Sequence, residues 1–137
     1  MRVLITGAGG TLGTALAPML AEAGHEPVLQ DLPGASDAGE FIQGDVRSLE
    51  DVLTAARGAE VIVHTVAIHG IHLRDRSPRD FYDLNLTGTF NVWAAAVEVG
   101  ARAMAFSSTM GVYTSHTAPR GVARSAISQG SSWWVRP

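Results

Sequence analysis

Gly7, Gly10 and Gly13 stand where an apolar run gives way to a helical pattern, which constrains this chain more than anything else in it. Val3-Leu4-Ile5 are large and apolar, as strand residues within a sheet are. Leu12, Leu16, Met19, Leu20 and Ala23 then recur at helical spacing. Each glycine has a mechanical reason: a turn that needs φ > 0, a backbone that a ligand must approach closely, and a helix held tightly against a strand. The turn, with Gly9, Thr11 and Leu12 among its residues, aims backbone N–H groups and the positive end of a helix dipole at one point. That cup suits a pyrophosphate, and the segment is expected to bind a dinucleotide.

A glycine motif needs its context, and the next segment supplies it. Pro27-Val28-Leu29-Gln30 is a second apolar run ending on Asp31, about twenty residues beyond the glycines, the spacing at which such folds carry a ribose-binding acid. A carboxylate at a strand tip accepts hydrogen bonds from both ribose hydroxyls and repels a 2′-phosphate. No arginine follows closely to neutralise one, so NAD is favoured over NADP.

The 137 residues fit one domain, with a net charge of −3 that offers no basic face for nucleic acid. There is no cysteine, which removes disulfides, thiolate nucleophiles and thiolate metal sites. No apolar stretch approaches membrane-spanning length and the N-terminus runs directly into a strand, so a cytoplasmic protein is expected. All 10 basic residues are arginines.

The rest of the chain reads as a βαβ series. Phe41–Val46 is a third strand with its exit, and Ser48 is the N-cap of a following helix, with Asp51 in the capping-box position. Leu49, Val52, Leu53 and Ala56 form that helix's buried stripe, closed by Gly58. Glu60–Val66 is continuously apolar enough for a strand covered on both faces, and Arg102–Ser108 is a fifth strand. Right-handed crossovers give a Rossmann-type, doubly wound parallel sheet in the order 3-2-1-4-5. Pro18 falls inside the first helix, where a kink is expected.

A long helix over roughly Pro78–Val99 carries apolar residues on two sides. Phe81, Leu84, Gly88, Val92, Ala95 and Val99 fall on one face, and Leu86, Phe90, Trp93 and Val97 on nearly the opposite one. One face covers the sheet; the other is expected to meet a second subunit. In the loop before it, His69 and His72 are spaced for a metal with His64 nearby, but no further ligand or second shell supports one, and no metal is expected. Arg74, Asp75, Arg76, Arg79 and Asp80 read as a solvated mixed-charge segment.

In combination these motifs resemble the N-terminal, NAD-binding part of an extended short-chain dehydrogenase/reductase, the NAD-dependent epimerase/dehydratase family. The resemblance runs from Met1 to about Tyr113. It rests on Thr6–Gly13, Asp31, Gly44-Asp45-Val46, Val63–Ala67, Asn85–Asn91 and Phe106–Tyr113. It implies that Asp45 and Val46 contact the adenine, and that Thr65, Val66 and Ala67 line the path to the nicotinamide ribose. Asn85 would steady that region, and Thr109 would hydrogen-bond the substrate oxygen. It also implies hydride transfer on a sugar or sugar-nucleotide substrate, and a homodimer through the long helix.

One element of the family's chemistry is missing. Its acid/base tyrosine has a free pKa of about 10 that a lysine four residues later must lower. Tyr113 is followed at that spacing by Thr117, and no later tyrosine exists. Arginine replaces that lysine poorly. The domain is therefore expected to span 1–117 and to be incomplete, truncated relative to the family. Residues 118–137, with Trp133 and Trp134, match no family pattern and are expected to be a poorly ordered tail. The short chain is expected to be inactive; the alternative is a non-catalytic NAD-binding module with a redox-sensing or scaffold role.

Overall fold

Strands form at the apolar runs, and they all pair in parallel. A computed structural model describes residues 1–32 and 39–108. In chain order these hold β1 (Arg2–Thr6), α1 (Thr11–Glu22), β2 (Glu26–Asp31), β3 (Glu40–Gln43), α2 (Leu49–Ala56) and β4 (Val61–His64). Then come α3 (Pro78–Tyr82), a π-helical turn at Asp83–Thr87, α4 (Gly88–Glu98) and β5 (Ala103–Phe106). The sheet order is β3-β2-β1-β4-β5, the doubly wound order expected. The central strands align Gln30, Thr6, His64 and Phe106 in one row at the carboxyl edge.

Alternation along the strands divides the core between the two faces of the sheet. Leu4, Val28 and Ile62 pack with Val52 and Ala55 of α2 and Val92 and Ala95 of α4. Ile5 and Leu29 face α1, where Ala17 is buried and Leu16 and Leu20 pack partly against them. Gly88 lets α4 close on the exit from β3, since a Cβ there would lie 2.8 Å from Val46 Cγ2.

Several local expectations are corrected. β3, β4 and β5 are shorter than their apolar runs, although the ladder continues one residue on, with Thr65 N donating to Thr6 O and Ser107 N to His64 O, each at 3.0 Å. Pro18 lies inside α1, as the sequence places it. Gly13 and Ala17 are the buried residues of α1, with Leu16 and Leu20 partly buried beside them, while Leu12 and Met19 are exposed. Gly13 fits that phase, since a Cβ there would lie 2.5 Å from Ala8 Cα. Ser48 caps α2 as expected, accepting from Asp51 N at 3.3 Å, but the capping box does not close. The Asp51 carboxylate accepts instead from Asp45 N at 2.9 Å, which ties the exit of β3 to α2.

The helix expected over Pro78–Val99 is continuous in path but contains the π turn, where Gly88 N donates to Asp83 O. Ser77 and Asp80 form a reciprocal capping box at its start. Its two faces behave as the pattern required. Val92 and Ala95 are fully buried, whereas Phe90 is 63% and Val97 67% exposed, with Leu86 and Trp93 exposed beside them. The boundary expected at residue 117 and the tail beyond it lie outside the described residues.

Candidate functional site

The first turn is built to bring a ligand against backbone. Gly7 has φ +79°, a conformation L side chains rarely adopt, and a Cβ there would lie 2.8 Å from both Thr65 Oγ1 and Val66 N. Its amide donates to Gln30 O at 2.9 Å, and Gly10 N closes the turn by donating to Gly7 O at 3.0 Å. At Gly13 a Cβ would lie 2.5 Å from Ala8 Cα and 2.7 Å from Ala8 O, so α1 could not sit so close with any side chain there. α1 has no side-chain cap and no acidic residue in its first turn. The amides that open a helix have no acceptor within it, so here they are left for an anion.

Asp31 stands at the tip of β2 beside this turn. Its Oδ2 accepts from Gly9 N at 2.8 Å and its Oδ1 from Leu32 N at 2.7 Å, which fixes the carboxylate against the glycine loop. Asp45 lies at the exit of β3, where its carboxylate accepts from Arg47 Nε at 3.0 Å and from Arg47 N at 2.9 Å. The side-chain hydrogen bond from Arg47 holds the Asp45 carboxyl below the ordinary carboxylate range. The Val46 side chain belongs to the core and its carbonyl accepts from Asn91 Nδ2 at 2.9 Å, so any ligand contact from Val46 is through its backbone.

A cleft of about 930 Å³ opens over the carboxyl edge of the sheet. It brings together Gly10, Thr11 and Leu12 from the turn, Thr65, Val66 and Ala67 from the segment after β4, and Asn85 from the π turn. Asn85 clamps the cleft wall, accepting from Ile68 N at 2.9 Å and donating Nδ2–H to Ile68 O at 2.7 Å. Thr65 donates its hydroxyl to Thr6 O at 2.8 Å, joining the same wall to the end of β1. Gly7, Gly9 and Gly13 shape the turn without lining this cleft, and Asp31, Asp45 and Val46 lie outside its lining. Thr109 and Tyr113 fall outside the described residues.

Sequence reasoning missed Ile68, Thr89, Phe106 and Ser107, all of which line the cleft. Ile68 acts through its backbone and leaves no trace in the pattern. Thr89 had a signal, standing four residues after Asn85 and so on the same side of the helix. His69 and His72 also line the cleft, in a short 3₁₀ turn where His69 N donates to His72 Nδ1 at 3.0 Å. His64 does not join them: its ring is fully buried, stacked 5.8 Å from Phe106, and burial pushes its pKa down to about 4. Among the described residues no group of three or more His, Asp or Glu side chains could hold a metal ion. In the mixed-charge segment, Arg79 pairs with Asp83 at 2.8 Å and the Asp80 carboxylate accepts from Ser77 N at 2.7 Å.

Known proteins are similar to this chain in sequence and in fold. The chain is 31% identical over 126 residues to human 3 beta-hydroxysteroid dehydrogenase type 7, covering 83% of the chain and 34% of that protein. It is 30% identical over 130 residues to a Klebsiella pneumoniae UDP-glucose 4-epimerase sequence, covering 82% of the chain and 92% of the relative. A short-chain dehydrogenase/reductase superfamily protein from Agrobacterium tumefaciens, solved with bound NAD, superposes with TM-score 0.75 at 26% identity. That match covers 83% of the chain and 34% of the solved protein, so the chain spans about a third of the length of two of these three. With residues 3–129 matching its family model, the chain belongs to the NAD dependent epimerase/dehydratase family.

Proposed function

We propose that this chain is the NAD-binding portion of an epimerase, dehydratase or dehydrogenase whose substrate is a sugar or sugar-nucleotide. The observation that carries the reading is the uncapped helix N-terminus behind a turn that no Cβ could enter, with the Asp31 carboxylate fixed beside it. The donor set fits the cofactor. Backbone amides of the Gly7–Gly13 turn, Thr11 and Leu12 among them, would hold the diphosphate, and Asp31 would accept from the adenosine ribose hydroxyls. Asp45 and the Val46 backbone would meet the adenine. Thr65, Val66 and Ala67 would line the nicotinamide side, held in place by the Asn85 clamp on Ile68.

Bound NAD supplies a hydride acceptor. The residues of this chain bind and orient it and wall the cleft, and Thr109 is the hydroxyl proposed to hold the substrate oxygen. No tyrosine is paired with a lysine here, because the chain contains no lysine. These 137 residues are therefore proposed not to turn over by the family's usual route. A non-catalytic NAD-binding module is the second reading, favoured by that missing pair. The UDP-glucose 4-epimerase relative supports the sugar-nucleotide substrate, and the exposed row Leu86, Phe90, Trp93 and Val97 supports a homodimer through α4. No helix among the described residues is long and apolar enough to cross a membrane; a cytoplasmic setting is proposed.

Calorimetry of the chain with NAD and NADP tests the reading. NAD is expected to bind more tightly, and Asp31→Ala to remove most of that preference. Equal affinity of the wild type for both, or no binding of either, contradicts it.

A further inference from the structure

Three polar side chains, Thr6, His64 and Thr89, form a directed line that ends on the main-chain carbonyl of Asn85. Thr6 Oγ1 lies 2.6 Å from His64 Nδ1, and His64 Nε2 lies 3.0 Å from Thr89 Oγ1. Thr89 in turn donates its only hydroxyl proton to the Asn85 carbonyl at 2.6 Å. A carbonyl only accepts, so this last bond settles the direction of the others. Having given its proton to Asn85, Thr89 Oγ1 faces His64 as an acceptor, and Nε2 must carry a hydrogen. Nδ1 of a neutral ring is then bare and accepts from the Thr6 hydroxyl. The opposite tautomer would set a lone pair on Nε2 against a lone pair on Thr89.

The two ends of this line matter to the cleft. Thr6 is the last residue of β1, immediately before the glycine turn. Asn85 sits in the π turn, a local loosening of helical pairing that often accompanies functional sites, and its side chain clamps Ile68 in the cleft wall. We propose that His64 is a positioning residue, locked as the neutral Nε2–H tautomer, which ties the end of β1 to the π turn so that glycine turn and nicotinamide-side wall keep one relative placement. This rests on the reading of the cleft as a NAD site, but the hydrogen-bond line itself can be tested without the cofactor.

The experiment is heteronuclear NMR on the full chain. In the wild type at neutral pH, the His64 nitrogen signals should show a protonated Nε2 and a bare Nδ1; a protonated Nδ1 overturns the proposal. His64→Leu keeps an apolar volume and cuts both bonds. Amide exchange at Ile68 should then rise roughly tenfold relative to the core amide of Leu4, the scale of one or two lost hydrogen bonds. His64→Gln, whose amide can still reach Thr89, should restore most of that protection. An unchanged Ile68, or an equal rise at Ile68 and Leu4, overturns the positioning role. If His64→Leu does not fold, Thr89→Val cuts the same line from the helix side and is read in the same way. A wild type that fails to bind NAD contradicts the proposed function alone and leaves these readouts intact.

Discussion

Acid should weaken this protein through one residue before its carboxylates respond. His64 is fully buried and uncharged, and burial lowers its pKa from 6.5 to about 4. In the unfolded chain the ring returns to its ordinary value, so the unfolded state takes up a proton first as pH falls. The stabilisation is therefore fully present above about pH 6.5 and is lost progressively down to about pH 4, at up to roughly 1.4 kcal/mol per pH unit. Between about pH 7.5 and about pH 4.5 the linkage amounts to about 2.5 kcal/mol, a large share of the stability of a small domain. Urea unfolding at both pH values measures the loss in the wild type. His64→Gln, which does not titrate, serves as the reference and cancels the other groups. The Asp45 carboxyl, lowered by Arg47, adds its own loss only as pH falls through the carboxylate range, below the His64 window. The wild type should lose about 2.5 kcal/mol more than the variant over that interval, and equal losses would refute the reasoning.

Two further outcomes are expected. Gly13→Ala places a methyl against Ala8 Cα and Ala8 O, so α1 must back away from the turn. A stability loss of roughly 1–3 kcal/mol by urea unfolding and a weakened affinity for NAD should result, and an unchanged affinity would contradict the close approach. Trp93→Glu charges the exposed side of α4, where Trp93 is 49% exposed beside Leu86, Phe90 and Val97. Sedimentation should find dimer in the wild type and monomer in the variant at nearly unchanged stability; a monomeric wild type contradicts the interface.

The sheet was legible because its order follows from five apolar runs and the handedness of their connections. The candidate site was legible as far as its placement goes: residue types at fixed spacing marked the glycine turn and Asp31, which the structure puts side by side. What stayed hidden depends on phase and on backbone. Leu12 and Met19 share helical spacing with Leu16 and Leu20 yet are exposed, because spacing alone cannot tell which face a helix turns inward. The buried side is the one that carries Gly13 and Ala17, with Gly13 in close contact with Ala8. The π turn arises from one lengthened hydrogen-bond step, which no hydrophobic pattern records. His64 lies near His69 and His72 in sequence, yet strand alternation puts it on the face of buried Ile62, and that signal was available. Gln30 shows the same: aligned with Thr6, it is fully buried, and its amide has no partner among the described residues.

The central claim is that backbone amides of the first turn hold a dinucleotide diphosphate while Asp31 holds the adenosine sugar. Titrating NAD into the isotopically labelled chain tests it residue by residue. Amide signals of Gly9 to Gly13 and of Asp31 should shift together, in proportion to bound ligand, while those of α2 stay in place. Shifts elsewhere with the turn unmoved would contradict the account.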